Sequence, residues 1–248
     1  MDDRGDNREK ESVHQGFLNV LEGWHLNTIC SILSVISATF TKLKHPMEKG
    51  AILPLFYLPP VEYFSHLINF RQDLLIEKFE HFPKQTYRNR ASIYSPNGKL
   101  DLIIPVVKGS RVHTKMKDVR ISYDAGWQRL HWMSLQTCYR SSAYFEYYEH
   151  DFVKFYEKKP EFLFDLNLEI LELVLRLLKV KTELRFTETY ETSYEGRKDF
   201  RDLMHPKKTS GYPAKPYFQV FQDRHGFMPN LSIADLLFNH GPQSISYL

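Results

Sequence analysis

Ala51-Ile52-Leu53-Pro54-Leu55-Phe56-Tyr57 is an apolar run closed off by Gly50 before it and by Pro59-Pro60 after it. A run of this length between two breakers predicts a buried strand. Pro54 is the one reservation, because proline cannot donate to a ladder. Pro60 suits the first position of a helix, and Val61, Phe64, Leu67 and Ile68 then recur at helical spacing to about Phe70. Asp73 to Lys78 predicts a second short strand. Strand, helix and strand in this order call for a parallel pair with a right-handed crossover. The chain therefore predicts an α/β fold: a single domain with a mixed β-sheet, its N-terminal half strand-rich and its C-terminal half helix-rich.

Downstream, Ala91–Tyr94 and Leu100–Val106 flank Ser95-Pro96-Asn97-Gly98-Lys99, which predicts a hairpin with Asn-Gly at the turn. Val107–Lys117 is a polar loop carrying Lys108, Arg111, Lys115 and Lys117, and Asp118–Ser122 predicts a further short strand. A helix is expected over Gly126–Arg140, with Trp127, Leu130, His131, Ser134, Leu135 and Cys138 on one face. Tyr144–Phe164 holds nine aromatic residues and reads as core more readily than as a stacking platform. Leu163–Lys179 is the clearest helix, with Leu166, Ile170, Leu173 and Leu177 as its stripe and Glu172–Arg176 as a favourable i,i+4 pair. Leu184–Thr187 predicts a strand. Tyr190–Pro216 predicts a long loop or lid, and Tyr217–Phe221 a strand entered from the basic His205-Pro206-Lys207-Lys208. Ser232 predicts the N-cap of a last helix, Asp235 its box partner, Ile233, Leu236 and Leu237 its inward face, and Gly241-Pro242 its end.

Residues 1–46 read as foreign to this pattern. They open on a charged segment, and the apolar stretch from Trp24 to Phe40 is interrupted by His25, Asn27, Thr28 and three serines. It begins too late for a secretory signal and is too polar for a confident membrane helix. The expectation is an extension outside the domain, with translation starting at Met47 and the domain covering 47–248. The alternative is a loosely attached N-terminal helix.

Composition narrows the function. The 248 residues are 42% hydrophobic and 25% charged, enough for a sizeable core. A net charge of +3 spread along the chain is no nucleic-acid signature, and no nucleic-acid partner or stable membrane insertion is expected. Two cysteines, Cys30 and Cys138, are too few for a disulfide framework, so a reducing cytoplasm is the default. There is no His-Glu-x-x-His, Cys-x-x-Cys, phosphate-binding Gly-x-x-x-x-Gly-Lys or Gly-x-Gly-x-x-Gly. No metal site is expected, and the sequence leaves the cofactor open.

The densest set of donors is Lys84-Gln85-Thr86-Tyr87-Arg88-Asn89-Arg90, directly after the second strand. Ligands of open α/β sheets bind beyond the carboxyl ends of strands. If the segment is extended, Arg88 and Arg90 share a face and grip phosphate or carboxylate, while Lys84, Gln85, Tyr87 and Asn89 add polar contacts. The competing reading is a solvated loop running into an edge strand. His131 is either a hydrogen-bonded core histidine or a general acid or base. Cys138 lies two turns further along, about 10 Å of rise, which strains any Cys/His nucleophile pair.

Ile52–Leu248 resembles the WbqC-like proteins. The resemblance is carried by Leu58-Pro59-Pro60-Val61-Glu62-Tyr63-Phe64, Lys84–Arg90, Ile103-Ile104-Pro105-Val106, the Gly126-Trp127 to Tyr139 helix, Ser142-Ala143-Tyr144-Phe145, and above all Pro229–Gly241. Members often begin with Gln-Pro before a Tyr-Phe-Pro region, and Leu53–Pro60 departs from that. The resemblance implies a bacterial protein tied to surface-polysaccharide (O-antigen) biosynthesis. It implies a transferase or modifying enzyme for an activated sugar, with acyl or aminoacyl transfer among the options. The anionic small molecule would be a sugar phosphate, a nucleotide-sugar or an acyl-CoA. A non-catalytic ligand-binding or partner module of a polysaccharide assembly system is the alternative. The resemblance leaves the oligomeric state open.

Overall fold

In the computed structural model, residues 49–107 and 113–248 are described. The 1–46 extension with Cys30, and Lys108 and Arg111 of the polar loop, lie outside them. The architecture is α/β, with a parallel sheet and a separate antiparallel hairpin. Strand β1 (Gly50–Pro54) is followed by helix α1 (Val61–Asn69) and strand β2 (Leu74–Glu77), and β1 and β2 pair in parallel from Ala51↔Leu74 to Pro54↔Glu77. Strands β3 (Arg90–Ser95) and β4 (Gly98–Ile103) form the hairpin. Its tip is Pro96-Asn97, and Gly98 supplies the positive φ, at 96°. Helices α2 (Trp127–Tyr139), α3 (Phe145–Glu157) and α4 (Leu163–Leu177) follow. The chain then returns to the parallel sheet as β5 (Arg185–Phe186) and β6 (Arg197–Asp199), before α5 (Gln222–His225) and α6 (Ile233–His240).

The sheet order is β5-β2-β1-β6, and all three of its pairings are parallel. From β1 the chain steps one way, to β2 and β5. It then crosses back to place β6 on the far side of β1. The order reverses between β1 and β6, and the carboxyl ends beside such a switch point are where ligands of open sheets bind. Pro54 is tolerated because β6 pairs only with Gly50–Ile52, which leaves that flank of β1 open at its last residue.

Several expectations are corrected. Asp118–Ser122 is not a strand. A 3-10 turn at Met116–Asp118 is followed only by single bridges, Arg120 to Phe162 and Ile121 to Val106. The long segment from Tyr190 contains β6, whose Arg-Lys-Asp sequence carries no apolar signal because the strand is held by its backbone and its ion pairs. Tyr217–Phe221 pairs with no strand. There the Gln219 side chain spans the turn instead, accepting from the Met228 amide and donating to the Met228 carbonyl. Arg176 turns to Asp151 on α3 at 3.9 Å, and Glu172 makes no ion pair with it.

The core collects the aromatic residues of the second half. Phe145, Tyr148 and Phe152 of α3 and Phe238 of α6 are buried together, and Phe238 meets Phe145 and Phe152 edge-on at 5.1 Å. Ser232 caps α6 as expected, accepting from the Ala234 amide. Asp235 is not a box partner. It is fully buried and accepts from the hydroxyls of Tyr139 (2.8 Å) and Tyr217 (2.7 Å) and from the Gln219 amide (2.9 Å). Burial raises its carboxyl above the ordinary range, with the three donors opposing.

Helix α6 ends on Gly241 at φ 54°, where an added Cβ would stand 2.4 Å from the Tyr144 ring. Gly241→Ala combines a disfavoured backbone with an overlap against a packed ring, so a loss of at least about 2 kcal/mol is expected. Urea denaturation of the wild type and the variant measures it.

Candidate functional site

The carboxyl edge of the parallel sheet is built around two inward carboxylates. Glu77 ends β2 fully buried and Glu80 follows three residues later, 6% exposed. Buried carboxylates require partners. Glu77 accepts from the Phe79 amide (2.7 Å), the Thr187 hydroxyl (2.9 Å), the Tyr194 hydroxyl (3.2 Å) and the Arg201 guanidinium (3.3 Å). Glu80 takes a two-pronged contact from Arg88, with Nε and Nη2 both at 2.6 Å. Arg88 also donates to the Arg201 carbonyl at 3.1 Å. Arg201 closes the circle by donating to Asp199 at the end of β6 and to the carbonyls of Glu191 and Thr192. Its guanidinium also lies over the rings of Tyr190 and Tyr194.

This network fixes the segment after β2. Lys84–Asn89 is a succession of turns, with Gln85 at φ 60°, and not an extended strand. Arg88 and Arg90 therefore do not share a face. Arg88 is 1% exposed and spent on Glu80, so its guanidinium faces the interior. Tyr87 is buried against Phe56, its carbonyl receives the Tyr57 amide at 2.9 Å, and burial pushes its hydroxyl up to about 12. Asn89 donates to the Ile104 carbonyl at 2.8 Å. Arg90 donates to Asp101 at 3.1 Å, and its Nε has no partner among the described residues. Lys84 and Gln85 stand in solvent.

A second basic segment arrives from 122 residues away in the sequence. The Lys207 ammonium donates to Oε1 of Gln85, which joins His205-Pro206-Lys207-Lys208 to the turn after β2. Burial and then the charges of Lys208, Lys207, Arg88 and Arg90 lower the basicity of His205. Four cations thus act on one imidazole. Lys84, Lys207 and Lys208 are exposed and make no ion pair among the described residues.

His131 sits elsewhere, on α2 behind the end of β1. Its Nδ1 is 3.0 Å from the Tyr57 hydroxyl, which is 2.9 Å from the Tyr156 hydroxyl. With Tyr57 donating to Nδ1, Tyr156 donates to Tyr57. Burial brings the imidazole down to about 4, with the Ile103 carbonyl opposing, so the ring is neutral at pH 7. Leu58, next in chain to Tyr57, adopts φ 40°, a region that branched and bulky residues avoid. The Trp127 ring packs edge-on to His131 at 5.0 Å, and its indole Nε1 is buried without a partner among the described residues. Cys138 shares the helix, but burial and Asp235 raise its thiol to about 11, which keeps it protonated. Among the described residues no group of His, Cys, Asp and Glu side chains forms a metal site, and no described helix is long and apolar enough to cross a membrane.

Sequence reasoning located the turn after β2 but not its charge balance. Glu77, Glu80, Asp199 and Arg201 were missed, and only the position of Glu80 in the same segment as Arg88 hinted at a partner.

A parallel α/β sheet with a cationic carboxyl edge is the class that fold and site define. The sequence model of the WbqC-like protein family matches residues 56–212, and the chain belongs to that family. It is also similar to the uncharacterised protein Rv1507c of Mycobacterium tuberculosis, with 26% identity over 228 residues, covering 82% of this chain and 98% of the relative. No solved structure matches the chain.

Removing Arg88 leaves Glu80 buried and uncompensated. Arg88→Ala is expected to cost about 3–5 kcal/mol, whereas Lys207→Ala/Lys208→Ala changes stability by less than about 1 kcal/mol. Denaturant unfolding separates the two. His131 adds a pH term. Its folded value of about 4 lies below the ordinary 6.5, so the unfolded chain binds the extra proton between them. Its contribution is fully present above pH 6.5 and is lost as pH falls toward 4. His131→Gln should flatten the acid limb of stability across that window.

Proposed function

We propose that this protein binds a phosphorylated or nucleotide-linked sugar in the cytoplasm and acts on it as a transferase in surface-polysaccharide biosynthesis. Acyl or aminoacyl transfer onto an amino sugar falls within the same reading. The observation that carries it is the joining of the turn after β2, through Gln85, to Lys207, with His205 and Lys208 beside it and Lys84 next in chain to Gln85. Like charges gathered there raise the local concentration of an anion and hold it electrostatically. On this reading Lys84, Lys207 and Lys208 face the anionic group, Gln85 adds a neutral contact, and Arg90, held on Asp101, adds charge from behind. Tyr87, Arg88 and Asn89 serve the same ligand from behind by fixing the turn.

His131 is the catalytic candidate. At pH 7 it is neutral and able to accept a proton, and the unpartnered Trp127 indole beside it leaves a donor for a ligand atom or a water. One observation favours the second reading, a non-catalytic ligand or partner module. The ring is closed in by Tyr57 and the Ile103 carbonyl, so any proton would reach Nδ1 by way of the Tyr57 hydroxyl.

Thermal shift of the full chain against nucleoside diphosphates, nucleotide-sugars, sugar phosphates and acyl-CoAs tests the binding. A ligand at a hundred times its dissociation constant stabilises by about 2.7 kcal/mol. One class is expected to raise Tm in the wild type and not in Lys84→Ala/Lys207→Ala/Lys208→Ala. No response from any class removes the small-molecule reading. With a ligand in hand, His131→Gln that still binds but no longer turns over supports the transferase, and His131→Gln with full turnover removes His131 from the chemistry.

A further inference from the structure

Beyond β2 the chain makes a second basic feature that the proposed function does not use. Lys78–Phe82 runs antiparallel to Thr114–Lys117. The Phe82 amide donates to the Thr114 carbonyl (2.9 Å), the Met116 amide to Glu80 (2.8 Å) and the Lys117 amide to Lys78 (3.1 Å). Glu80 and Met116 are buried. The outer face is made by the exposed His81, His113 and Lys115, with Lys78, Phe79 and Lys117 half-buried beside them.

The outer face is crowded with positive charge. The ammonium groups of Lys78, Lys115 and Lys117 lie 5.3, 5.4 and 5.8 Å from the centroid of one ring, that of Phe79. The imidazoles of His81 and His113 lie 4.9 Å apart, centroid to centroid. One carboxylate answers them, Asp118, 2.9 Å from Lys117. Lys78, Lys115, His81 and His113 have no carboxylate partner within salt-bridge distance among the described residues. The attraction of an exposed cation to a phenyl ring is weak; it holds the lysine stems in place but neutralises no charge.

We propose that this ribbon face is a binding site for a diphosphate group, separate from the Lys84, Lys207 and Lys208 cluster. Two linked tetrahedral oxyanions match two uncompensated ammonium groups held around a rigid floor, with the two imidazoles as further hydrogen-bond donors. Lysine binds phosphate as a point charge, so no planar fork is needed. A single phosphate engages fewer of these donors and binds more weakly. The diphosphate could be free or part of a nucleotide, and the same lysines would take either. This inference does not rest on the proposed function.

Calorimetric titration of the full chain with inorganic pyrophosphate, phosphate and a nucleoside diphosphate tests it, with the His81 and His113 ring resonances followed by NMR. Pyrophosphate is expected to bind saturably, tighter than phosphate, and to move both rings. Lys115→Ala/Lys117→Ala should weaken it at least about tenfold, while a change at two exposed lysines remote from both clusters in the sequence, Lys158→Ala/Lys159→Ala, leaves it unchanged. Tighter binding of the nucleoside diphosphate than of pyrophosphate identifies the nucleotide as the source, and the reverse identifies the free anion. Two results overturn the proposal: no saturable heat with unmoved ring resonances, or unchanged pyrophosphate affinity in Lys115→Ala/Lys117→Ala. Loss in the Lys207 and Lys208 variant alone assigns the diphosphate to the other cluster and also overturns it.

Discussion

A carboxylate withdrawn from water must find a cation or a set of donors, and β2 delivers two of them within four residues. Glu77 and Glu80 are both inside; Glu80 is met by the nearby Arg88, whereas Glu77 recruits partners from distant sequence. Arg201 reaches Glu77 across 124 residues, and Thr187 across 110. Breaking one partner of a buried pair costs far more than the pair contributes net, because the remaining charge is stranded. The network is thus a device of register more than of stability. It dictates where β5 ends, where β6 ends and how the turn after β2 is folded. Asp73 repeats the pattern at the opposite end of β2, joining Arg185 of β5 and Arg197 of β6 at 2.6 and 2.7 Å. The two shortest strands of the sheet are therefore pinned by charge at a β2 end, where their own apolar content could not hold them.

The same requirement sorts the basic residues. Arginines go to the carboxylates: Arg88 to Glu80, Arg201 to Glu77 and Asp199, Arg90 to Asp101. The planar, weakly hydrated guanidinium suits a desolvated two-pronged contact, and an ammonium does not. Lysines are what the edge leaves in solvent. This division explains why the arginine pair that dominates the sequence is not the exposed part of the edge, and why the groups facing outward are the less conspicuous Lys84, Lys207 and Lys208.

The sequence carried the fold where apolar periodicity carried it. β1, α1, the hairpin, α2 and α4 were legible because their apolar residues recur at strand or helix spacing. β6 was not, since Arg197-Lys198-Asp199 has no period to read and pairs through its backbone with Gly50–Ile52. Asp235 reads as the box partner of the Ser232 cap because Ser232 stands three residues before it. Its true partners, Tyr139 and Tyr217, are 96 and 18 residues away, and only folding brings them together. The candidate site failed in the same way. Local spacing placed donors correctly after β2, but whether Arg88 faces in or out depends on Glu80 being buried, which a short sequence window does not reveal.

On the proposed function, an edge that spends its forks internally and shows ammonium groups to solvent would recognise charge before shape. Point charges on flexible stems follow an anion through several orientations, and at exposed positions their attraction falls steeply with salt. Discrimination among anions of equal charge must then come from groups that are rigid and neutral. Behind the edge, the β1 terminus is rigid: Tyr57 is held between His131 and Tyr156, and Leu58 is kept at a backbone angle it would not choose alone, both of them buried. Strain of that kind persists only where the surroundings impose it. Here the Tyr57 amide is held by the Tyr87 carbonyl, the Ile233 amide donates to the Pro59 carbonyl and the Val61 amide to the Leu231 carbonyl. The turn that carries the rigid groups is thus clamped from one side by the segment that carries the basic ones, and on the proposed function a ligand on Lys84 and Gln85 would act on the same backbone that positions Tyr57.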